Sequence, residues 1–524
     1  MTQGGAPAAS ALHAGSSVDP DAATSSLREA VLGGTFFGTR HGAVASRLAA
    51  FLAERADGVR TLGAWFGPSM TARLATRPEA VRAMLDRDIA ELDKLISEQL
   101  DAVLHAPQLR RLEGRWRGLH WLVTHAELGR RLKLRVLLVT WAEICRDLDR
   151  AAEFDQTILF RRLYEDEFGM PGGEPFGLLV IDHEVRHKPS PDAPTDDVSA
   201  IARLSAIAAA AFVPTVLSSH PALLEVDSFA DLAGVQDVSA PLRSSDHARW
   251  RDLRGRADMR FVAITLPRLL ARPRWSDDPG RQDGFRYREQ TMGAEDHVWM
   301  SAAYAFARCV IRAFADHGWP ADVRGAETDR LGGGVVTDLP DDHFESGPRE
   351  AASRVAIELQ FTDQQERALV EAGLMPLAAM PYGAEMVFGA TRSLQLPAQH
   401  LGRTAAVADA NARLSAHLNS MLCVSRFAHQ LKVMGREMVG SFQTSDEIQR
   451  KLDAWLQGYV NTNTSGGADT RARFPLLAGD VQVRDHPGRP GVFQCVAHLQ
   501  PHHQLDGVST AFSLVTELAA GAKP

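Results

Sequence analysis

The sequence predicts an α+β fold of several domains in which mixed sheets pack against helices. Three observations lead there. Helical apolar spacing alternates with short β-branched runs between Met84 and Leu270. The stretch from Val481 onward alternates apolar and polar residues at strand period. The 524 residues, 45% hydrophobic and 23% charged, suit a globular chain of roughly two to four domains.

Residues 1–24 are small and polar and are expected to lack order. Leu27 and Val31, with Leu32 beside them, open a short helical pattern, and GGTFFGTR then breaks the chain at Phe36 and Phe37. Val44, Leu48, Phe51 and Leu52 share one face of a second short helix. From Met84 to His105, Ile89, Leu92, Ile96, Leu100 and Val103 form one stripe while Asp86, Asp93, Lys94 and Glu98 lie largely away from it, and Pro107 ends the helix. LKLRVLLVT (132–140) reads as a strand, WAEICRDLDRA as a helix and FGLLVI as a buried strand. KPSPDAPTDD is a loop before the small-residue helix VSAIARLSAIAAAA, and RFVAITL is a further strand. Residues 297–317 are apolar on most sides, which predicts a core helix. A helix is expected over Asn411–Met438, and Thr444 and Glu447 have capping-box spacing for another bearing Ile448, Leu452, Trp455 and Tyr459. VQVR, the turn HPGRPG and VFQCVAHL predict a hairpin with Phe493, Cys495, Ala497 and Leu499 on one face.

Lys+Arg 57 against Asp+Glu 65 gives a formal charge of -8, which argues against a phosphate-backbone partner. The four cysteines (Cys145, Cys309, Cys423 and Cys495) are widely spaced without a CxxC pair, as expected of reduced thiols. No basic segment precedes a long apolar one at the N-terminus, and Arg308 and Arg312 interrupt the apolar run Val298–Phe314. Neither a signal peptide nor a membrane insertion is read, and a cytoplasmic location is expected.

His183-Glu184-Val185-Arg186-His187 satisfies HExxH, the signature of zinc peptidases. That chemistry needs a helix to bring both histidines to one face. Here FGLLVI precedes and KPSPDAP follows, so a polar strand end is expected, with no metal and no cofactor. LGGGVV lacks the Lys-Ser/Thr of a phosphate loop, and His502-His503 has no partner at ligand spacing and reads as a solvated turn. Neither a GxSxG elbow nor a GxxxxGK[ST] loop occurs. Arg426, His429, Lys432 and Arg436 recur at helical steps and read as one basic face.

Long ordered blocks carry more information. RDIAELDKLISEQLDAVLHAPQLRRLEGRWRGLHWLV, EFDQTILFRRLYEDEFGMPGGEPFGLLVIDHE, FVPTVLSSHPALLEVDSF, RFVAITLPRLLARPR and SRFAHQLKVMGREMVGSFQTSDEIQRKLDAWLQGYV occur in that order. Over roughly residues 80–518 the chain resembles the TssC/VipB family, the large subunit of the type VI secretion contractile sheath, whose fold is related to phage-tail sheaths. It departs from the family's common LPYG at Ala271-Arg272-Pro273-Arg274-Trp275.

The resemblance implies a structural protein and not an enzyme. The implied partners are a small subunit (TssB/VipA), further copies in a helical polymer, an Hcp inner tube, the ClpV unfoldase and baseplate components. Four parts are expected: 1–60 facing the unfoldase, 61–150 docking the small subunit, 151–400 as the sheath body, and 401–524 for tube contact and strand exchange. Within them Leu27, Val31, Leu32, Phe36 and Phe37 form the expected unfoldase handle. Val481, Val483, Phe493, Val496 and Leu499 are the expected exchange strands, and Arg426, His429, Lys432 and Arg436 the expected tube-facing group. The rival readings are the sheath of another phage-tail-like injector and a zinc peptidase built on HEVRH.

Overall fold

In the computed structural model the described residues are 26–33, 42–55, 57–74, 76–129, 131–170, 172–278, 280, 284–326, 331–344, 352–380, 384–400, 405–438, 444–463, 467–486, 492–502 and 512–518. Residues 1–24, Phe36, Phe37 and His503 lie outside them. The chain forms two compact units, Met1–Leu104 with Trp275–Gln290, and His105–Arg274 with Thr291–Pro524.

The first unit is helical. Ser26 caps Leu27–Leu32 through a capping box with Glu29. Leu27, Ala30, Val44, Trp65 and Phe66 make its core, joined by Val31, Leu48, Phe51 and Leu92. One charge lies inside: Asp88, in the Pro78–Leu104 helix, accepts from Arg28 Nε at 2.8 Å and from Trp65 Nε1 at 2.9 Å. The donors offset the desolvation of the carboxylate and fix the first helix against the long one. Of the stripe predicted on that long helix, Leu92 packs inward while Ile89, Ile96 and Val103 are exposed.

In the second unit the strands run β1 (Leu179–Val185), β2 (Thr215–Ser219), β3 (Val262–Leu266), β4 (Leu269–Leu270), β5 (Trp299–Met300), β6 (Val335–Val336), β7 (Asp342–Phe344), β8 (Ala352–Arg354), β9 (Met375–Pro376), β10 (Ala378–Ala379), β11 (Met386–Val387), β12 (Leu476–Asp485), β13 (Phe493–Pro501) and β14 (Phe512–Leu518). A parallel sheet in the order β1-β2-β3-β9 is its centre. Val216 and Ala263 face the Ala302–His317 helix, whereas Leu217, Val262 and Ile264 face Phe229, Trp250 and Leu374. Both faces are covered, and β2 and β3 are buried along their whole length. The Asp197–Ala211 helix joins β1 to β2, and Ser301 caps the core helix at one end while Gly318, at φ +72°, closes the other.

The antiparallel sheet β12-β13-β14 packs Val481, Val483, Cys495, Ala497 and Leu499 against Phe427, Leu452 and Leu456. Those last side chains come from the Leu418–Met438 and Ser445–Gln457 helices, the second capped by the Thr444–Glu447 box. The helix expected over 411–438 is two, Ala405–Ser415 and Leu418–Met438. His502 is buried and not in a solvated turn, its N–H closing on the Pro475 carbonyl at 3.0 Å. The four thiols are free and buried, and burial pushes Cys145 and Cys423 up to about 12 and Cys309 and Cys495 up to about 11. Among the described residues no helix is long and apolar enough to cross a membrane.

Candidate functional site

The HEVRH motif divides among separate partners. His183 and Glu184 sit on β1, so the helical geometry of a zinc peptidase is not formed. His183 Nε2 lies 3.0 Å from the Asp197 carboxylate, and its ring stacks on Trp141 with centroids 4.3 Å apart. Glu184 takes both nitrogens of a fork from Arg268, at 2.6 and 3.0 Å. Burial alone would raise the Glu184 carboxyl, but the Arg268 guanidinium holds it below the ordinary range. His187 instead stacks on His247 with centroids 3.8 Å apart.

The basic group expected to face a tube is turned into the chain. Its cover is a helix over 158–168 whose π-turn, Arg161–Glu165, lines up Phe160, Tyr164 and Phe168 with centroids 5.0 and 4.7 Å apart. Lys432 Nζ donates to the Tyr164 hydroxyl at 3.1 Å and stands 4.9 to 5.3 Å from the rings of Tyr164, Phe212 and Phe168. Arg436 donates to the carbonyls of Phe168 and Met170, both at 2.9 Å, capping that helix where its dipole is negative. His429 is fully buried against the Ala211 carbonyl, and burial pushes its imidazole down to about 3. Arg426 lies over the Phe314 ring.

The N-terminal stripe is likewise turned inward. Leu27 is 1% exposed and Val31 half-buried against the same core, so the face expected to be open is the one that packs. In the C-terminal sheet β13 is the central strand, with Val496 opposite Gln482 on one side and Val515 on the other. The outer edge of β12 is partly occupied: Gln449 accepts from the Val483 N–H at 2.9 Å and Gln457 donates to the Gly479 carbonyl at 2.8 Å. Among the described residues β14 pairs only with β13.

The most unusual surface is residues 132–140, read from sequence as an ordinary strand. The segment is extended, yet no main-chain group from Lys133 to Val139 is hydrogen-bonded among the described residues. It is held at both ends. Lys133 pairs with Glu174 at 2.7 Å, Arg135 with Glu167, and Leu134 packs on the core. Thr140 then caps the Trp141–Arg150 helix with Glu143. Between these anchors Val136, Leu137, Leu138 and Val139 are 53%, 63%, 79% and 40% exposed. Successive strand side chains point to opposite faces, so apolar surface is open on both. The available signal was this two-faced apolar run with no hairpin partner nearby in sequence.

Comparison with known proteins matches the chain in two stretches. Residues 86–395 match the VipB family model described as EvpB/VC_A0108, tail sheath N-terminal domain, and residues 407–518 match the EvpB/VC_A0108 tail sheath gpW/gp25-like domain. The type VI secretion system sheath protein TssC1 of Pseudomonas aeruginosa is 33% identical over 435 residues, which cover 82% of this chain and 85% of that protein.

Proposed function

Because the chain belongs to the VipB family, as the large sheath subunit of a type VI secretion system, we propose that it pairs with the small sheath subunit (TssB/VipA) and that the pairs polymerise helically around an inner Hcp tube, contracting to drive it outward. The observation that carries the pairing is the unpartnered strand at 132–140. A pre-ordered strand with free main-chain groups and apolar side chains on both faces is what an incoming strand of a partner completes. It lies within the region 61–150 assigned to small-subunit docking. Val136→Asp with Leu138→Asp is expected to weaken the heterodimer by roughly a hundredfold or more, since a buried side chain of this size contributes about 1.5–3 kcal/mol. Co-purification measures the loss, and amide exchange at 133–139 should slow when the partner binds. Wild-type pairing by the double variant removes this surface from the proposal.

The unfoldase handle is retained in altered form. Leu27 is buried, so the first helix must undock before a ClpV-type groove can take its apolar stripe. Arg28→Ala leaves Asp88 short of a donor and should loosen the helix by about 1–3 kcal/mol. Unfoldase binding to the polymer is then expected to rise roughly fivefold or more. A variant that melts lower but binds no more tightly shows the helix to be packing only. Strand exchange between neighbouring subunits enters this reading at the outer edge of β14.

A further inference from the structure

The second histidine of HEVRH stacks on His247 but has no polar partner in the fold described above. His187 follows β1, is 5% exposed, and has no hydrogen-bond partner at either ring nitrogen. The main chain at Ala222 lies close but short of hydrogen-bonding geometry. Such an orphaned buried imidazole is costly unless something fills its lone pair.

His247 is fully buried beside it, and its surroundings fix its tautomer. Nε2 lies 3.0 Å from the Leu223 carbonyl, which only accepts, so the proton sits on Nε2. Nδ1 then carries a lone pair that meets the Ser244 hydroxyl at 3.1 Å and the Glu225 carboxylate at 3.5 Å. Glu225 is placed there by backbone strain, because it ends the Pro221–Leu224 turn at φ +58°, a conformation unusual for a side-chain-bearing residue. Ligand atoms of His187, Glu225 and His247 lie within 4.8 Å of one another.

We infer that His187, His247 and Glu225 form a binding site for a divalent transition metal of the zinc class. Two imidazoles and one carboxylate are the donor set such ions take, with a fourth position left for water, whereas calcium and magnesium prefer oxygen ligands throughout. The Leu223 carbonyl is the outer partner that orients a ligating histidine. The two rings stack 24° from parallel, and no hydrogen bond holds the His187 ring in that orientation. The site is a pin and not a peptidase centre. It joins the loop after β1, the turn after β2 and the turn Ser245–His247 at the carboxyl edge of the parallel sheet.

The test uses the chain co-purified with its small subunit, stripped with chelator and titrated with Co²⁺. A visible ligand-field band saturating near about one equivalent is expected for a site with these ligands. His187→Gln and Glu225→Gln should each weaken binding about tenfold or more, whereas His183→Gln, whose ring is held by Asp197, should leave it unchanged. Glu225 is 42% exposed, so its variant tests the site without disturbing the core, and Zn²⁺ should raise the melting midpoint of the parent but not of Glu225→Gln. Absence of a band in the parent overturns the site. So does undiminished binding in Glu225→Gln, or equal loss in His183→Gln.

Discussion

Glutamate at both Lys432 and Arg436 is expected to lower the stability of the second unit by about 3–5 kcal/mol, before any contact in a polymer is considered. The lysine ammonium stands among three aromatic rings, where a desolvated cation contributes about 2 kcal/mol or more. Arg436 supplies charged donors to carbonyls at the end of the 158–168 helix, each such bond contributing about 1.5–3 kcal/mol. A carboxylate in either place faces ring π-density or carbonyl oxygens. The residues are one turn apart on the same helix, so their losses are not additive. Thermal melting of the heterodimer measures the effect, and Lys432→Arg, which keeps a cation over the rings, should melt close to the parent. If the double variant melts with the parent and fails only in assembly around the tube, the group is a tube contact after all.

Proline at Val496 is expected to act as severely, and for a reason other than lost exchange between subunits. Val496 lies in the middle of β13, opposite residues of both β12 and β14. In a central strand every N–H points to one neighbour or the other, so proline leaves a carbonyl without its donor, which costs about 1–3 kcal/mol, and its ring crowds the ladder further. The side chains of β13 also close the core beneath, with Cys495, Ala497 and Leu499 buried. Soluble yield and melting midpoint should fall whether or not the small subunit is present. Unchanged melting with loss of tubes alone would return Val496 to the exchange interface.

What was legible in the sequence follows the range of the forces involved. The Thr444–Glu447 box, the small-residue helix at Asp197–Ala211, the core helix ending in Gly318 and the strand under HEVRH are set by neighbours within one or two turns, and each is present. The cover over the basic face was not legible, because helical spacing groups charges without showing what packs on them. Its cover, Tyr164 and Phe168, comes from more than 260 residues away. The burial of Leu27 was likewise not legible: it depends on Trp65 and on the Arg28–Asp88 pair, which local spacing does not reveal. Residues 132–140 read as a strand, but among the described residues no strand pairs with them, which sequence could not show. His187, Glu225 and His247 meet only because three loops end at one edge of a parallel sheet, so no motif spans them.

The four buried thiols give the folded chain a property that emerges only when it is pulled apart. Held at about 11 to 12 by burial, they are poor nucleophiles in the folded chain. On unfolding each returns to an ordinary value near about 8.5 and becomes reactive. The positions, 145, 309, 423 and 495, are spread along most of the chain's length. Their successive exposure would therefore mark how far unfolding of the chain has advanced and from which end it began. The chain carries its own ruler of dismantling, silent for as long as the sheath stands.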